Sequence, residues 1–323
     1  MLARMTSLSI LAAAVLAVAG TGPAVAEYPD KPITMVVGYA AGGGTDISAR
    51  SLAPYIERYL GGGARILVEN RPGAGGEIGF AAVSDAAPDG YTIGFVNTPN
   101  FLTIPIERKT RYKVEQFDLL ANIVDDPGAF SVHADGPIKT LADLVAYAKA
   151  NPNTVSVGTT GVGSDDHIAM LIFQKQTGTK LVHVPFPGAA AGRTALLGKH
   201  IMVGCMNIGE AMQYSQGQPL RTIGVMADKR WSLAPDVPTF AEQGLPITLS
   251  SLRGIAAPVG LPPAIRAKLV KAILDAARDP AFQAAAAQTF QPLRILDSAE
   301  YTAVLKQMDG DFRELWKTTP WSR

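Results

Sequence analysis

The chain has 323 residues, 47% of them hydrophobic and 18% charged, with a formal net charge of +1. It is too long for one small module and too apolar for a disordered tail, and at roughly 100–200 residues per domain it fits about two domains with real cores. The 29 Lys and Arg against 28 Asp and Glu leave no positive field for a polyanion, so nucleic acid is not expected as a partner; the lone Cys205 offers no internal disulfide and no cysteine-based zinc site.

The chain starts with a leader. Arg4 stands in a short polar start, Leu8 to Gly20 is apolar except for Ser9, and Ala24-Val25-Ala26 places small residues where signal peptidase reads them. Cleavage is expected between Ala26 and Glu27. The run is shorter than the about 20 residues a membrane span needs. No cysteine follows it to accept a lipid. The mature chain is therefore expected to be exported and soluble.

Beyond the leader, short β-branched runs alternate with helical patterns, which reads as α/β with largely parallel sheets. Candidate strands are Ile33 to Tyr39, Arg65 to Asn70, Thr92 to Asn97, Phe130 to His133, Thr154 to Gly158, Lys180 to Val184, Ile201 to Met206 and Thr222 to Met226. A helix is expected over Asp46 to Leu60, with Pro54 predicting a kink or a late start. Another follows Ser164 and ends at Gly178; a third opens at Pro262-Pro263; Ser298 caps the last. Boundaries are expected at Asp125-Asp126-Pro127-Gly128, where a Pro-Gly turn interrupts the pattern, and near Asp228 to Pro238.

Two stretches repeat one order. A strand runs into Ala40-Ala41-Gly42-Gly43-Gly44-Thr45-Asp46 and a helix, and another runs into Thr159-Thr160-Gly161-Val162-Gly163-Ser164-Asp165 and a helix. Each places a helix N-terminus, with its unpaired N–H groups and partial positive charge, at the carboxyl end of a strand. Glycines there let backbone amides approach an anion directly or through water, with Thr45, Thr160 and Ser164 adding hydroxyls. The simpler reading is a pair of tight turns with Thr45, Asp46 and Ser164 as N-caps.

Nucleotide readings fail on particular residues. Gly38 to Thr45 has the frame of a phosphate loop, but Gly44 stands where the lysine must be, and Asp166 takes the place of the third glycine in a dinucleotide fingerprint that begins at Gly161. No cofactor is expected. Ser164, Asp165, Asp166 and His167 are triad residue types, yet four neighbours at a helix start point in different directions, so no catalytic role is assigned. His133, His167, His183 and His200 have no zinc-ligand spacing, and no metal site is expected.

With these residues in view, the chain resembles the Bug, or TctC-like, family of periplasmic solute-binding receptors of tripartite tricarboxylate transporters. The marks, in order, are Tyr39 to Asp46, Val68-Glu69-Asn70-Arg71-Pro72-Gly73-Ala74-Gly75-Gly76, Ala87-Pro88-Asp89-Gly90-Tyr91-Thr92, Gly161-Val162-Gly163-Ser164 with His167, His183-Val184-Pro185-Phe186 leading to Gly188, and Ala257-Pro258 with Leu261-Pro262. The resemblance implies a two-lobed flytrap, each lobe a mainly parallel sheet flanked by helices. In that scheme residues 27–126 begin lobe 1, 127–230 form lobe 2, and 231–323 return to lobe 1. It implies a monomeric periplasmic receptor that closes on a small organic acid, a di-, tri- or aromatic carboxylate, and hands it to membrane transporter subunits. Carried over by position, the first-lobe contacts are Tyr39, Ala41, Gly42, Gly43, Gly44, Thr45 and Asp46 with Asn97, Thr98 and Asn100. Those of the second lobe are Thr159, Thr160, Gly161, Val162, Gly163 and Ser164. His167 braces that loop, Phe186, Pro187 and Gly188 line the cleft, and Asn207 faces it.

The chain departs from the family in two places. Lys199 to Met206 lacks the acid usual in the strand bordering the site, which implies an apolar wall, and Leu252 stands where an aromatic is common. The other functions compatible with the residues are an exported hydrolase using Ser164 or another hydroxyl residue with His167, and a sensory partner with the same cleft.

Overall fold

Four of the five side chains of Ile33–Val37 are buried, the pattern of a strand covered on both faces. They form β1 (Ile33–Val37) in a computed structural model that describes residues 28–322; the leader and its cleavage point lie outside the described residues. The chain continues through α1 (Gly44–Leu60), β2 (Ile66–Asn70), α2 (Glu77–Ser84), β3 (Thr92–Asn97) and α3 (Asn100–Glu107). Next come β4 (Phe117–His133), α4 (Leu141–Ala150), β5 (Ser156–Thr159), α5 (Asp165–Thr177), β6 (Val182–Pro185), α6 (Ala189–Leu197), β7 (Val203–Asn207), α7 (Ile208–Ser215) and β8 (Leu220–Val225). The last part holds β9 (Ser250–Pro258), α8 (Pro263–Arg278), α9 (Pro280–Gln288), β10 (Leu293–Leu296) and α10 (Ser298–Thr318).

The strands run in the order β2-β1-β3-β9-β4-β7-β5-β6, with β10 and β8 also paired to β4. Each lobe has a parallel core of three strands, β2-β1-β3 and β6-β5-β7, to which β4, β8, β9 and β10 add antiparallel pairings. Strand β4 belongs to both lobes: it pairs with β9 as far as Pro127 and with β7 from Gly128 onward.

Apolar burial follows the same division. Met35, Leu52, Phe80, Phe101, Ile123, Ile255 and Ile273 share the core of the first lobe. In the second, Phe130, Val157, Phe173 and Phe240 pack on one sheet face and Ala129, Leu196, Met206 and Val225 on the other. Alternate residues of one strand feed opposite faces, as the two-residue period of a strand requires. Fully burying a side chain such as Leu52 or Phe130 contributes about 1.5–3 kcal/mol.

Several expectations change. Asp125 to Gly128 is extended strand and no turn, because the missing N–H of Pro127 falls where β4 exchanges partners and the Asp126 charge is answered by Arg253. Helix α1 starts at Gly44, earlier than Asp46, and continues through Pro54. Asp297, not Ser298, caps α10, accepting from the amides of Ala299 and Glu300, while Ser298 Oγ donates to the Leu119 carbonyl. The chain returns to the first lobe at β9, not near residue 231, since Val237, Phe240 and Ile247 still pack in the second. Cys205 and Met206 face opposite cores of β7 and make no wall of the cleft; Leu252 is likewise core.

Candidate functional site

Both glycine loops end on a helix whose own acid ties the loop down. In the first, Asp46 Oδ2 accepts from the Gly42 amide at 3.0 Å, and Oδ1 accepts from Arg50 and Asn70. Burial opposes the charge of Asp46, but these donors hold its carboxyl below the usual range. In the second, Asp166 Oδ2 accepts from the amide and hydroxyl of Thr160 at 3.0 and 2.8 Å. Ser164 is the N-cap of α5, its Oγ accepting from the His167 amide, whereas Gly43 precedes α1 without any side-chain cap.

Between the loops lies a cavity of about 30 Å³, reached by Tyr39, Gly43, Gly44, Thr45, Asn97 and Asn100 from the first lobe and by Thr160, Gly188 and Asn207 from the second. A water molecule needs roughly 10–15 Å³ of such space, so this chamber holds little more than water. Next to it, sharing Tyr39 and Thr160, is a chamber of about 290 Å³ lined by Gly73 to Gly76 and Arg108 on one side and by Gly161, Val162, Phe186 and Pro187 on the other. The pair forms one cleft between the lobes. Asn97 Nδ2 donates to Thr45 Oγ1, leaving Asn97 Oδ1 buried without a hydrogen-bond partner at the cavity wall.

The floor is a cluster of buried charge-bearing side chains. Arg253, on β9 and 3% exposed, sets Nη2 2.9 Å from Asp126 Oδ2 on β4 and 3.5 Å from Glu210 Oε1 on α7. The same Nη2 donates to Asn207 Oδ1 at 3.0 Å, and Asn207 Nδ2 donates to Asp165 Oδ2 and to the Asp126 carbonyl, each at 2.7 Å. One guanidinium therefore meets two carboxyl groups and is linked to a third, that of Asp165, through Asn207. Burial pushes Asp126 up to about 7 against the pull of Arg253. Burial also raises Asp165, and it raises Asp166 further with the help of the Asp165 charge. Burial works against the charge of Arg253, but Asp126 and Glu210 outweigh it.

The remaining expected residues turn elsewhere. Ala41 and Gly42 are exposed, and the Gly42 carbonyl accepts from Tyr214. Asp46 points back into its own loop; Thr98 Oγ1 accepts from the Leu252 amide; Thr159 Oγ1 bonds His183 Nε2 at 2.6 Å. Gly163 donates to His167 Nδ1 at 3.3 Å and accepts from Thr103 at 2.6 Å, which puts His167 against the loop as a brace. The amides of Gly42, Gly44, Gly161 and Gly163 are all taken by protein acceptors in this arrangement. Ser164, Asp165, Asp166 and His167 address Gly161, Asn207, Thr160 and Gly163 in turn, and no Ser–His side-chain pair forms.

Sequence reading missed Glu210, Ser251 and Arg253 in the cavity wall and Arg108 in the outer chamber. Two signals were present: an arginine within the apolar run Leu252 to Ala257, and Asn207 three residues before Glu210, the spacing of a capping box.

The family model described as the tripartite tricarboxylate transporter family receptor matches residues 48–305. A Cupriavidus necator relative, described as a UPF0065 protein in the gbd 5' region, is 34% identical over 276 residues, covering 85% of this chain and 83% of that protein. Among solved structures, the periplasmic binding protein BugD superposes with a TM-score of 0.85 at 31% identity, covering 91% of this chain and 99% of that one. MatC from Rhodopseudomonas palustris, solved with bound malate, superposes at 0.82 with 26% identity over 91% of this chain and all, 100%, of its own.

Proposed function

Because this chain belongs to the tripartite tricarboxylate transporter receptor family, we propose that it captures a small organic carboxylate in the interlobe cleft by lobe closure and delivers it to membrane transporter subunits, with no bond made or broken. The observation that carries this reading is the meeting of two glycine loops, each ending on a helix N-terminus, at one cavity shared by the lobes. The bound malate of MatC supports a carboxylate as the ligand class. Ligand contacts are assigned to Tyr39, Gly43 to Thr45, Asn97, Asn100, Thr160 to Val162, Phe186 to Gly188 and Asn207, the expected residues that reach the two chambers. The leader fits export by a cleaved signal peptide to the periplasm, and no helix among the described residues is long and apolar enough to cross a membrane.

The test is a thermal-shift panel of mono-, di- and tricarboxylates and aromatic acids, with divalent metals and nucleotides as controls. A saturable rise in Tm is expected for at least one acid, about 2.7 kcal/mol of stabilisation at a hundredfold excess over Kd. A response to metals or nucleotides alone would reject the proposal.

A further inference from the structure

Glu210 sits at the third position of α7, in the second lobe, where its Oε2 approaches the Asn207 amide as half of a capping box. Its other oxygen leaves the lobe. Glu210 Oε1 accepts from the Gly44 amide at 2.8 Å, in the first turn of α1 in the first lobe. One turn further along α7, the Tyr214 hydroxyl donates to the Gly42 carbonyl at 2.9 Å. Residues four apart share a helix face, so a single face of α7 grips the backbone of the first glycine loop at two points, once as acceptor and once as donor. The approach is close: a Cβ on Gly44 would collide with Arg253 Nη1 and lie 2.6 Å from Glu210 Oε1.

We propose that Glu210 is a built-in competitor for the ligand: its carboxylate occupies the anion position at the start of α1 and latches the empty lobes together. This rests on the reading of the cleft as a carboxylate site. The α1 N-terminus attracts a carboxylate because its first amides lack helical acceptors and carry the positive end of the dipole. Glu210 already satisfies that demand, and Arg253 supports it from 3.5 Å. The small inner chamber, about 30 Å³, is what remains when this internal carboxylate is in place. A ligand carboxylate reaches the Gly44 amide only by displacing Glu210, so the residue sets the threshold affinity and excludes acids that bind too weakly to replace it. The buried, partnerless Asn97 Oδ1 at the same wall is a polar group that this latched arrangement leaves unsatisfied.

The experiment uses the mature protein without ligand, spin-labelled at Leu67→Cys and Val182→Cys. These positions are exposed, on the strands at opposite ends of the sheet, and native Cys205 is buried and inert to the label. Pulsed EPR is expected to give one narrow distance in the otherwise unaltered protein and a longer, broader distribution in Glu210→Gln, which keeps the helix cap but loses the charge. Gly44→Ala, which crowds the latch from the opposite lobe and leaves α7 untouched, is expected to open it in the same way. Distributions unchanged in both variants would overturn the latch. Malate is the ligand probe. It is expected to bind Glu210→Gln about three- to tenfold more tightly than the parent, as removal of a competing closed state requires. Equal or weaker binding by the variant overturns the competition, while malate binding to neither protein counts against the receptor reading and leaves the latch to be decided by the unliganded distances.

Discussion

His167 and His183 lie face to face, with ring centroids 3.9 Å apart and planes 7° apart. Burial holds His167 down to about 3, with His183 adding to the effect, and holds His183 down to about 4. Both rings are therefore neutral at ordinary pH, as the role of His167 Nδ1 as acceptor for Gly163 requires.

The unfolded chain takes up these protons first, near the ordinary histidine value of about 6.5, so the stability they contribute is lost as pH falls from there toward about 4 and 3. His183→Gln is expected to lose less stability than the parent between pH 7 and pH 4. Urea unfolding at both pH values reads the difference; parallel losses would contradict it.

Asp126 has the opposite sign. Its folded value of about 7 stands above the unfolded 3.8, so the fold holds the proton more tightly and the associated stability is present below about pH 4 and lost as pH rises through about 7. Relative to Asp126→Asn, the parent is expected to lose stability between pH 4.5 and pH 7.5, since each tenfold gain in proton affinity on folding corresponds to about 1.4 kcal/mol. Urea unfolding across that range measures the loss, and equal slopes in the two proteins would contradict it. Glu210, Asp165 and Arg253 surround the same carboxyl, so the comparison is made on the pH slope and not on stability at one pH.

Gly163 and Gly178 make a matched pair of substitutions. Both have positive φ, 73° and 67°, but a Cβ on Gly163 would meet Thr103 Oγ1 at 3.0 Å and the Trp321 ring at 3.2 Å, while Gly178 faces open space. Gly178→Ala is expected to cost only the left-handed strain, about 1–2 kcal/mol. Gly163→Ala is expected to cost more and to weaken carboxylate binding, because Thr103 and Trp321 belong to the first lobe and Gly163 to the second. Thermal unfolding and ligand titration of the two variants test this; equal effects would rule it out.

Trp321, 3% exposed, covers the second loop, packed edge-on against Trp316 at 4.6 Å between centroids. With Trp231 and Trp316 replaced by Phe, the emission of Trp321 is expected to shift to the red and become open to acrylamide quenching when the lobes part, as in Gly44→Ala. An unchanged spectrum in that variant would show that the indole does not sense closure.

Local pattern carried much of the fold. The strand-glycine-helix units at Tyr39 and Thr159 could be read because strand periodicity, glycine and an acid two or three residues later are all local signals. The 17-residue β4 could not, since Asp125-Asp126-Pro127-Gly128 has turn composition and is held as strand by pairing with the distant β9, whose Arg253 stands against Asp126. Site residues divide in the same way. Loop backbone was legible, whereas Glu210 and Arg253 reach the cavity through pairings between distant segments that no local pattern specifies.

Strand β3 finds its inner neighbour only in β9, more than 150 residues later in the chain. The second lobe, contiguous from Gly128 to Leu249, can complete its sheet without the rest of the chain. The first must keep the apolar flank of β3 and half of β4 open until the C-terminal strands and helices arrive. Folding is thus ordered from the middle of the polypeptide outward, and until the C-terminal strands arrive the unpaired edge lies in the N-terminal segment, on the side that β9 later covers.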